Sequence, residues 1–508
     1  MFNEMKNVMD NYVTTENGAG AFKTTGNALV DFNFKISSLR NKSDGEIISL
    51  FEPVWEENPE LALKYLFYLR DVREGLGERR TFRVILNSLL SKNEVSPMII
   101  NMISEYGRWD DIIYIYENTT SVSAHNCIIV IIKNQLIHDI ANCMDGRSIS
   151  LMAKWLPSVN ASKNTRKIAL RLCNALNLTE KEYRKKLSLL RKHLDVTEVK
   201  MSANDWDEIK YEAVPSKANL LYKDAFEKHD AERRQEYLNK LSKGETKINA
   251  STVYPYEIVH NYKPNYSHRC SIDITYEEMW KALPNVISNP NNKTIVVADG
   301  SGSMLSSISK STSAEAWDVA TSLAIYFAEK CEGEFKNRYI TFSSRPQLVD
   351  FGDATSLLEK ILIAKSHNEC SNTNIAAVFE LILTTVIRNK VPQSELPNNI
   401  LIISDMEFDA GSKCYGQSLF ESIQQKYSDY GYKMPRLVFW NVCSRSGAIP
   451  VIQNELGVNL VSGFSVNTFD MILSGETDAF KCIEKKLLSE RYDAIRYIKR
   501  YGSSNSLL

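Results

Sequence analysis

The chain has 508 residues, of which 44% are apolar and 24% are charged, and its net charge is −1 at pH 7. This length exceeds what a single hydrophobic core serves, so we expect at least two domains of ordinary globular composition. The near-neutral balance argues against a generic, uniformly basic nucleic-acid binder, and no run approaches the roughly 20 apolar residues that a membrane span needs.

Residues 1–45 are mostly polar and rich in turn residues, and we treat them as a separate N-terminal segment. From 46 to about 245, apolar residues such as Leu61, Tyr65 and Leu69 recur at the spacing that places them on one face of an α-helix. Helix follows helix with short breaks and no strand pattern, and the last predicted helix covers 215–242. This predicts an α-solenoid of stacked, HEAT-like helical repeats, for which a closed ring and an open arc are both compatible.

Three junctions between the predicted helices are dense in charged or aromatic residues. They are the ranges 70–80, 107–111 and 154–158. Gly75 and Gly77 can end one helix and admit the close approach of the next. We expect most of the charged residues at these junctions to form salt bridges and helix caps, because no nucleophile, general base or phosphate-binding loop emerges from them.

Positive charge is concentrated in one part of the predicted helical domain. Between Lys154 and Lys200 there are 12 Lys or Arg against 4 Asp or Glu, a balance of +8, so the rest of the chain sums to −9. A basic region on a near-neutral protein is the footprint that phosphate contacts leave, whereas a solvated helix face is the common alternative. The candidate RNA contacts are Lys163, Arg166, Lys167, Arg171, Lys185, Lys186 and Arg191.

Residues 246–292 form a junction rich in tyrosine and proline, which we expect to lie as a strap across both domains. From 293 to 508, short apolar runs alternate with helical patterns. Such alternation is typical of an α/β domain with a doubly wound, mainly parallel sheet. The predicted strands are 294–298, 337–342, 399–403, 436–441 and 459–461.

Oxygen-bearing side chains follow two of these strands. Asp299, Ser301 and Ser303 come directly after the first, Asp405 follows the third, and Thr373 lies in a polar loop that opens a helix. Because ligands of open α/β folds bind beyond the carboxyl ends of strands, we expect these five groups to meet. Carboxylate and hydroxyl oxygens suit Mg²⁺ or Mn²⁺ better than zinc. An ordinary turn is the alternative for the Asp-Gly-Ser-Gly-Ser run.

This arrangement resembles the metal-ion-dependent adhesion site (MIDAS) of von Willebrand factor A domains, which have a Rossmann-like fold. The resemblance makes the two serines and the threonine inner ligands, and it makes the two aspartates inner or water-bridged ligands. The chain departs from the pattern at Asn372, where many such domains have a glycine before the threonine. The middle loop is therefore expected to have its own shape.

A second resemblance covers nearly the whole chain. It rests on the order of Thr-Glu-Asn-Gly, Arg-Asp-x-Arg-x-Gly-x-Gly-Glu-Arg, Gly-Arg-Trp-Asp-Asp, Lys-Trp-Leu-Pro-Ser, Asp-Gly-Ser-Gly-Ser-Met and Ser-Asp-Met-Glu-Phe-Asp. In this order the chain looks like an uncharacterised family of viral, bacterial and plant proteins. That family in turn resembles the Ro autoantigen (TROVE) proteins, ring-shaped HEAT-repeat RNA binders with a C-terminal von Willebrand A domain.

The leading functional expectation is an RNA-binding protein of Ro-like type, part of a ribonucleoprotein. Its basic helices would hold phosphates of single-stranded or structured non-coding RNA while aromatic and arginine side chains stack on exposed bases. The alternative is an interaction scaffold, in which an acidic residue of a protein partner completes the coordination of a metal in the A domain. The two functions are compatible in one chain.

Metal-dependent hydrolysis of phosphates is a third class of function, and we expect that the protein is not an enzyme. Glu407 is the only further carboxylate near the two aspartates in the sequence, and the loop lacks the Gly-Lys-Ser/Thr of a phosphate-binding loop. Nine scattered cysteines without a Cys-x-x-Cys pair, and an N-terminus without a secretory pattern, predict a cytoplasmic protein. Neither a membrane nor DNA is expected as a partner.

Overall fold

The computed structural model describes residues 6, 9–18, 20–262, 271–286, 293–331, 333–369, 374–408, 416–450, 458–469 and 478–498, and for 416–421 the backbone alone. Contacts divide the chain into two compact units. The helical unit takes Asn58–Lys247 and Glu490–Leu508, and the sheet unit takes Met1–Glu57 and Ile248–Ser489. Each unit therefore combines two separate stretches of the chain.

The sheet unit begins with a small hairpin followed by two helices. Leu29, Val30, Phe32 and Phe34 of the first helix are buried, so this polar-looking part of the sequence contributes to a core. The elements are β1 (Tyr12–Thr14), β2 (Gly20–Phe22), α1 (Ala28–Lys35) and α2 (Asp44–Glu57).

The helical unit is a succession of helices whose ends follow local sequence signals. Asn58 caps the first of them by accepting the N–H of Leu61 at 3.1 Å, and Pro59 occupies its first turn. A reciprocal capping box of Thr179 and Glu182 begins another. The helices are α3 (Pro59–Arg70), α4 (Arg80–Ser91), α5 (Ile103–Tyr106), α6 (Trp109–Asn118), α7 (Val122–Met144), α8 (Met152–Trp155), α9 (Lys163–Ala175), α10 (Glu180–His193), α11 (Thr197–Ala203), α12 (Ser216–Leu221), α13 (Lys223–His229) and α14 (Ala231–Ser242).

The charged junctions of the helical unit form buried ion pairs. Asp111 is fully buried and accepts Arg70 Nε at 2.8 Å and Arg83 Nε at 2.5 Å. A Cβ on Gly107 would lie 2.5 Å from Asp111 Oδ2, so the glycine of Gly-Arg-Trp-Asp-Asp allows this close approach. Asp71, also fully buried, pairs with Arg491 at 2.9 Å. The salt bridges expected at 70–80 and 107–111 are thus present, and they stabilise the helical unit.

Helix α7 has a mainly apolar composition but is not a fully buried helix. Its 23 residues reach a mean hydropathy of 1.3 in an 18-residue window, of which 22% is buried. By length and composition it is the one helix among the described residues that could cross a membrane. No such span was expected from the sequence, because no run approaches the roughly 20 apolar residues that a span needs. A single helix of this kind is weak evidence that the chain crosses a membrane, since core helices can have the same length and composition.

The rest of the sheet unit alternates helices with the strands of a six-stranded sheet. Its order is β5-β4-β3-β6-β7-β8, with β5 antiparallel to β4 and all other neighbours parallel. The elements are α15 (Pro255–Tyr262), α16 (Ile274–Lys281), β3 (Thr294–Asp299), α17 (Ala316–Lys330), β4 (Arg338–Phe342), β5 (Leu348–Asp350), α18 (Leu357–Ser366), α19 (Ile375–Asn389), β6 (Asn399–Ser404), α20 (Gly416–Asp429), β7 (Arg436–Asn441), β8 (Asn459–Ser462) and α21 (Ala479–Leu487).

The central strands β3 and β6 are buried at every position, as parallel strands covered on both faces should be. They pair in register, with Val296 opposite Leu401 and Ala298 opposite Ile403. Five of the strands coincide closely with the predicted runs. The short antiparallel edge strand β5 was not predicted, because three residues carry too little pattern.

Residues of the predicted N-terminal segment and of the predicted junction belong to the sheet unit. Ser37 N–H donates to Ser462 Oγ at 3.1 Å, and Asn441 Nδ2 donates to Phe34 O at 2.8 Å, so buried hydrogen bonds connect the region around α1 to β7 and β8. In the junction, the buried carboxylate of Glu277 accepts the N–H of Leu357 at 2.8 Å. The protein is a multidomain chain that combines a helix-rich N-terminal half with a mixed α/β sheet.

Candidate functional site

The two predicted aspartates lie at the carboxyl ends of neighbouring parallel strands. β3 ends at Asp299, and Asp405 directly follows β6. The chain crosses from β3 to β4 on one side and later returns to β6 on the other, so the strand order reverses between β3 and β6. Open α/β sheets bind ligands at such a reversal.

Hydrogen bonds gather the side chains of this edge into one cluster. Asp299 accepts the N–H of Ser301 at 2.8 Å and the hydroxyl of Ser404 at 2.6 Å. The hydroxyls of Ser301 and Ser303 lie 2.9 Å apart, and Ser303 also hydrogen-bonds the carboxylate of Asp405. Four of the five predicted metal ligands therefore meet in the structure. The fifth, Thr373, lies outside the described residues.

Both carboxylates are costly to ionise, and burial is the main reason for each. Burial first, and the charge of Asp405 second, raise the pKa of Asp299 to about 7. Burial is also the main cause that raises the pKa of Asp405. Two buried carboxylates of this kind are stabilised in ionised form by a cation.

The donor set fits a hard divalent cation. It consists of two buried carboxylates and two hydroxyls, which are ligands that Mg²⁺ accepts when water completes the shell. No cluster of three or more His, Cys, Asp or Glu suited to a metal is found in the part of the chain that the structure describes. The site consequently depends on the serine hydroxyls, and zinc has no soft ligand here.

The loop after β6 has an unusual backbone conformation. Met406 is buried and adopts φ +64°, a left-handed conformation that non-glycine residues rarely adopt. Glu407 follows it and is also buried; its carboxylate accepts the N–H groups of Arg445 at 2.9 Å and Ser446 at 2.8 Å. A residue in a strained conformation, such as Met406, persists where surrounding contacts hold it. Here the hydrogen bonds of Glu407 hold the loop and therefore the position of Asp405.

The N-terminal Thr-Glu-Asn motif contacts the same loop. Thr15 Oγ1 donates to Phe408 O at 2.7 Å, the N–H of Glu16 donates to Glu407 Oε2 at 3.0 Å, and Asn17 Nδ2 donates to Glu407 O at 2.7 Å. Residues almost 400 positions apart in the chain thus shape one site. The motif is part of the resemblance described above, but its residues alone do not indicate where it lies in the fold.

A basic side chain lies beside the cluster. Arg445 Nη2 is 3.8 Å from Asp405 Oδ2, and its Nε pairs with Glu16 at 3.0 Å. Sequence reasoning missed both Arg445 and the supporting role of Glu407. The only sequence signal was that Arg445 follows a buried strand, β7, at the same edge of the sheet.

The predicted RNA contacts lie on α9 and α10, which pack against each other in the helical unit. Lys163, Lys167 and Lys185 are exposed, and Lys186 is half-buried. Arg171 is exposed, and its guanidinium lies 5.9 Å from the ring centre of Tyr116.

Two of the predicted contacts are engaged within the unit. Arg191 donates to Ala153 O at 2.8 Å, Leu156 O at 2.7 Å and Ser158 Oγ at 2.7 Å, so its guanidinium connects α10 to α8 and to the loop that follows α8. Arg166 is exposed but donates to Val159 O and pairs with Glu180 at 3.2 Å. Burial lowers the pKa of Arg191, which fits a residue that holds the fold.

Other exposed cations join the remaining candidates. Lys181, Arg184 and Lys192 lie on the exposed face of α10, although the sequence analysis did not name them. Helical spacing was the available signal, because these residues are three, four or seven positions from Lys185 or from one another. Apart from Arg171, which lies over Tyr116, six exposed cations on the two helices form no salt bridge with any residue that the structure describes, and we call them the α9–α10 surface: Lys163, Lys167, Lys181, Arg184, Lys185 and Lys192.

Comparisons with known proteins find relatives without an assigned function. Residues 293–498 match a family described as "Domain of unknown function (DUF7788)", and residues 15–93 and 118–287 match "Domain of unknown function (DUF2828)". The "Uncharacterized protein L728" of Acanthamoeba polyphaga mimivirus is 32% identical over 506 residues, which cover 92% of this chain and 86% of that protein. No solved structure matches the chain.

Proposed function

We propose that this chain, which belongs to the family of the mimivirus protein L728, is an RNA-binding protein with a separate divalent-metal site. The RNA lies on the α9–α10 surface of the helical unit. The cation lies at the carboxyl edge of the sheet. The relative's name assigns no function, so the proposal rests on the residues of this chain.

The observation that carries the RNA proposal is the absence of acidic partners on the α9–α10 surface within the described residues. Elsewhere many exposed lysines pair with a neighbouring acid, as Lys240 does with Glu236 at 2.6 Å and Lys281 with Glu278 at 2.7 Å. Unpaired cations keep their charge available for phosphate groups, whose neutralisation releases counterions. Arg171 beside Tyr116 adds a planar group on which a base can stack.

The architecture supports the finer features of the proposal. A run of short helices in the helical unit is compatible with HEAT-like repeats of a Ro-like protein. The sheet order with a single antiparallel edge strand, and the cluster at the β3–β6 reversal, are what a von Willebrand A-like domain with a MIDAS-type site would have. These features support the resemblance to the Ro proteins independently of the charge argument.

The test is RNA binding as a function of salt. A labelled 20-nucleotide single-stranded RNA is titrated with protein between 50 and 200 mM KCl, and its fluorescence anisotropy gives the affinity. The variant K163Q/K167Q/K185Q removes three phosphate contacts. Since each contact on a single strand contributes about 0.7 to the slope of log affinity against log salt, the slope should become about 2 units shallower.

A matched control distinguishes the loss of these particular lysines from a mere change in net charge. The variant K240Q/K281Q/K426Q removes the same three charges from lysines that pair with acids. It should retain the affinity and slope of the original protein. Binding that ignores salt, or equal losses in both variants, would refute the proposed surface.

At the metal site, Asp299, Asp405, Ser301 and Ser303 would hold the cation directly or through water. The cation would supply a positively charged position that an anionic ligand can complete. The role of the surrounding residues is to fix these oxygens: Ser404 orients one aspartate, and Glu407 anchors the loop of the other.

Arg445 favours a second function, the recognition of an acidic protein partner at the metal site. It lies beside Asp405 and already pairs with one carboxylate, that of Glu16. A partner's Asp or Glu would contact the cation and this guanidinium together. A pull-down from cells expressing the protein should then lose the partner with EDTA or in Asp299→Ala, while RNA binding survives both treatments. Protein capture that is indifferent to EDTA would exclude this function.

A further inference from the structure

A serine, a histidine and an aspartate form a hydrogen-bonded chain in the sheet unit, apart from the metal cluster. His260 Nδ1 lies 2.7 Å from Asp318 Oδ2, and His260 Nε2 lies 3.0 Å from Ser313 Oγ. His260 is on α15, Asp318 is in the first turn of α17, and Ser313 is in the loop before that helix. Neither proposed function uses these three residues.

The geometry fixes the tautomer of the histidine. Because Nδ1 faces a carboxylate, Nδ1 carries the proton and donates it to Asp318, which leaves the lone pair of Nε2 for the hydroxyl proton of Ser313. Asp318 is completely buried, and its Oδ2 also accepts the N–H of Glu315 at 2.9 Å. The carboxylate is therefore held in one orientation, and it orients the imidazole.

The loop that carries Ser313 is closed by its own hydrogen bonds. Ile308 N–H donates to Ala314 O at 2.9 Å, and Ala316 N–H donates to Ser306 O at 3.0 Å. Ser313 itself is exposed, whereas His260 retains 22% of its side-chain exposure. The hydroxyl is thus accessible to a solute while its hydrogen-bond partner is mostly shielded.

We infer that Ser313, His260 and Asp318 form an acyl-transfer site that hydrolyses short carboxylic esters. Ser313 is the nucleophile, His260 is the general base, and Asp318 is a positioning residue. The backbone N–H of Ser313 has no hydrogen-bond acceptor among the described residues, and it is a donor available to a developing oxyanion. The substrate is a small ester, or an ester at the end of a larger molecule, because the serine lies at the surface.

The reaction balances with water as the second reactant. The oxygen of Ser313 bonds to the ester carbonyl carbon while its proton passes to His260 Nε2. The bond from that carbon to the alcohol oxygen then breaks, and the alcohol leaves with the proton from His260. Water, deprotonated by the same imidazole, attacks the acyl-serine and releases the carboxylic acid. His260 returns the proton to the serine oxygen, so the site is regenerated.

A purely structural role is the competing explanation, since the same bonds connect α15 to the start of α17. A chemical probe distinguishes the two. A fluorophosphonate reporter reacts with serines that an adjacent base activates, and mass spectrometry of the labelled peptide locates the adduct. Turnover is followed with p-nitrophenyl acetate on the full-length protein.

We expect the adduct on Ser313 and none in Ser313→Ala. Ser311→Ala is the matched control, because Ser311 is an exposed serine of the same loop that bonds to another serine hydroxyl; it should be labelled at the original rate. His260→Ala should slow labelling and turnover by about 100-fold or more. Asp318→Asn should slow both while RNA affinity stays unchanged.

Two results would overturn the inference. One is a folded protein, as judged by circular dichroism and melting temperature, that is not labelled at Ser313. The other is labelling of Ser313 that persists unchanged in His260→Ala. Because RNA binding is measured separately on the same samples, failure of this inference leaves the proposed RNA function unaffected, and the reverse also holds.

Discussion

The variant Asp405→Asn should change the stability of the sheet unit with opposite signs in the presence and absence of a divalent cation. Asparagine has the same shape and retains an oxygen that can accept the N–H of Glu407, which Asp405 accepts at 3.2 Å. It removes one of the two buried negative charges. It therefore tests charge and metal binding while leaving the packing in place.

The expected magnitude without metal comes from the pKa of Asp299. Burial and then the charge of Asp405 raise this pKa from 3.8 to about 7. A raised folded-state pKa contributes stability that is complete below the unfolded value and is lost as pH rises through the folded value. In EDTA the free energy of unfolding should fall between about pH 4 and pH 8, by up to about 4 kcal/mol at 1.36 kcal/mol per pKa unit. Asp405→Asn should recover on the order of 1 kcal/mol of this at pH 8.

With Mg²⁺ present, the original protein should be more stable than Asp405→Asn. A cation at 100 times its dissociation constant stabilises the folded protein by about 2.7 kcal/mol. For a unit of this size that raises the melting temperature by about 5 °C or more. Asp405→Asn loses a charged ligand and should show little of this increase.

The assay is thermal unfolding followed by circular dichroism, in EDTA and in 5 mM MgCl₂, at pH 5 and pH 8. The supporting outcome is a variant more stable than the original protein in EDTA at pH 8 and less stable in MgCl₂. A variant that responds to Mg²⁺ as fully as the original protein, or that is destabilised equally in both buffers, would refute the metal-site reasoning.

Three further substitutions test residues that stabilise the helical unit or the sheet unit from within. Arg191→Ala should cost about 2 kcal/mol in urea unfolding, because α8 and the loop after it lose three guanidinium hydrogen bonds, while Arg191→Lys should recover only part of this stability. Asp111→Ala should cost about 3–5 kcal/mol in the same assay, since it leaves the buried charge of Arg70 unpaired, and a loss below 1 kcal/mol would contradict the ion-pair account. Glu407→Gln should weaken Mg²⁺ binding in calorimetry although Glu407 is not a proposed ligand, because in either orientation the amide NH₂ would face a backbone N–H donor, that of Glu16 or those of Arg445 and Ser446; unchanged affinity would remove its supporting role.

The sheet and the cluster of side chains at its edge were predictable from sequence because their signals are local. The apolar runs at 294–298 and 399–403 are too short for helices and end in turn residues, so they predict buried strands. Once both are parallel strands of one sheet, Asp299 and Asp405 must lie at the same edge. The position of these two aspartates therefore follows from periodicity and topology.

Long-range contacts could not be predicted in this way. Nothing in the Thr-Glu-Asn motif indicates that Glu16 lies against Glu407, because the pairing depends on how the N-terminal hairpin docks. Composition likewise cannot separate Arg191, which is bonded within its unit, from Lys185, which is exposed. Charge counting finds a basic region, whereas the local packing decides which cations are available.

Sequence periodicity also fails to predict where some helices begin and end. The pattern over 215–242 predicts one helix, yet the structure has three, α12, α13 and α14, with breaks at Tyr222 and Asp230. Both residues adopt non-helical backbone angles at the caps. The apolar spacing continues through the breaks because all three helices bury one side against the same core, so periodicity alone does not reveal them.

Cross-linking of RNA to the protein tests the proposed RNA surface most directly. The full-length protein is irradiated with a 4-thiouridine-labelled single-stranded RNA at 100 mM KCl and digested, and cross-linked peptides are identified by mass spectrometry. If RNA binds to this surface, cross-links are expected on peptides from α9 and α10, and they should be lost in K163Q/K167Q/K185Q and retained in K240Q/K281Q/K426Q. Cross-links confined to other parts of the chain, or none at a concentration at which binding is seen, would contradict the proposal.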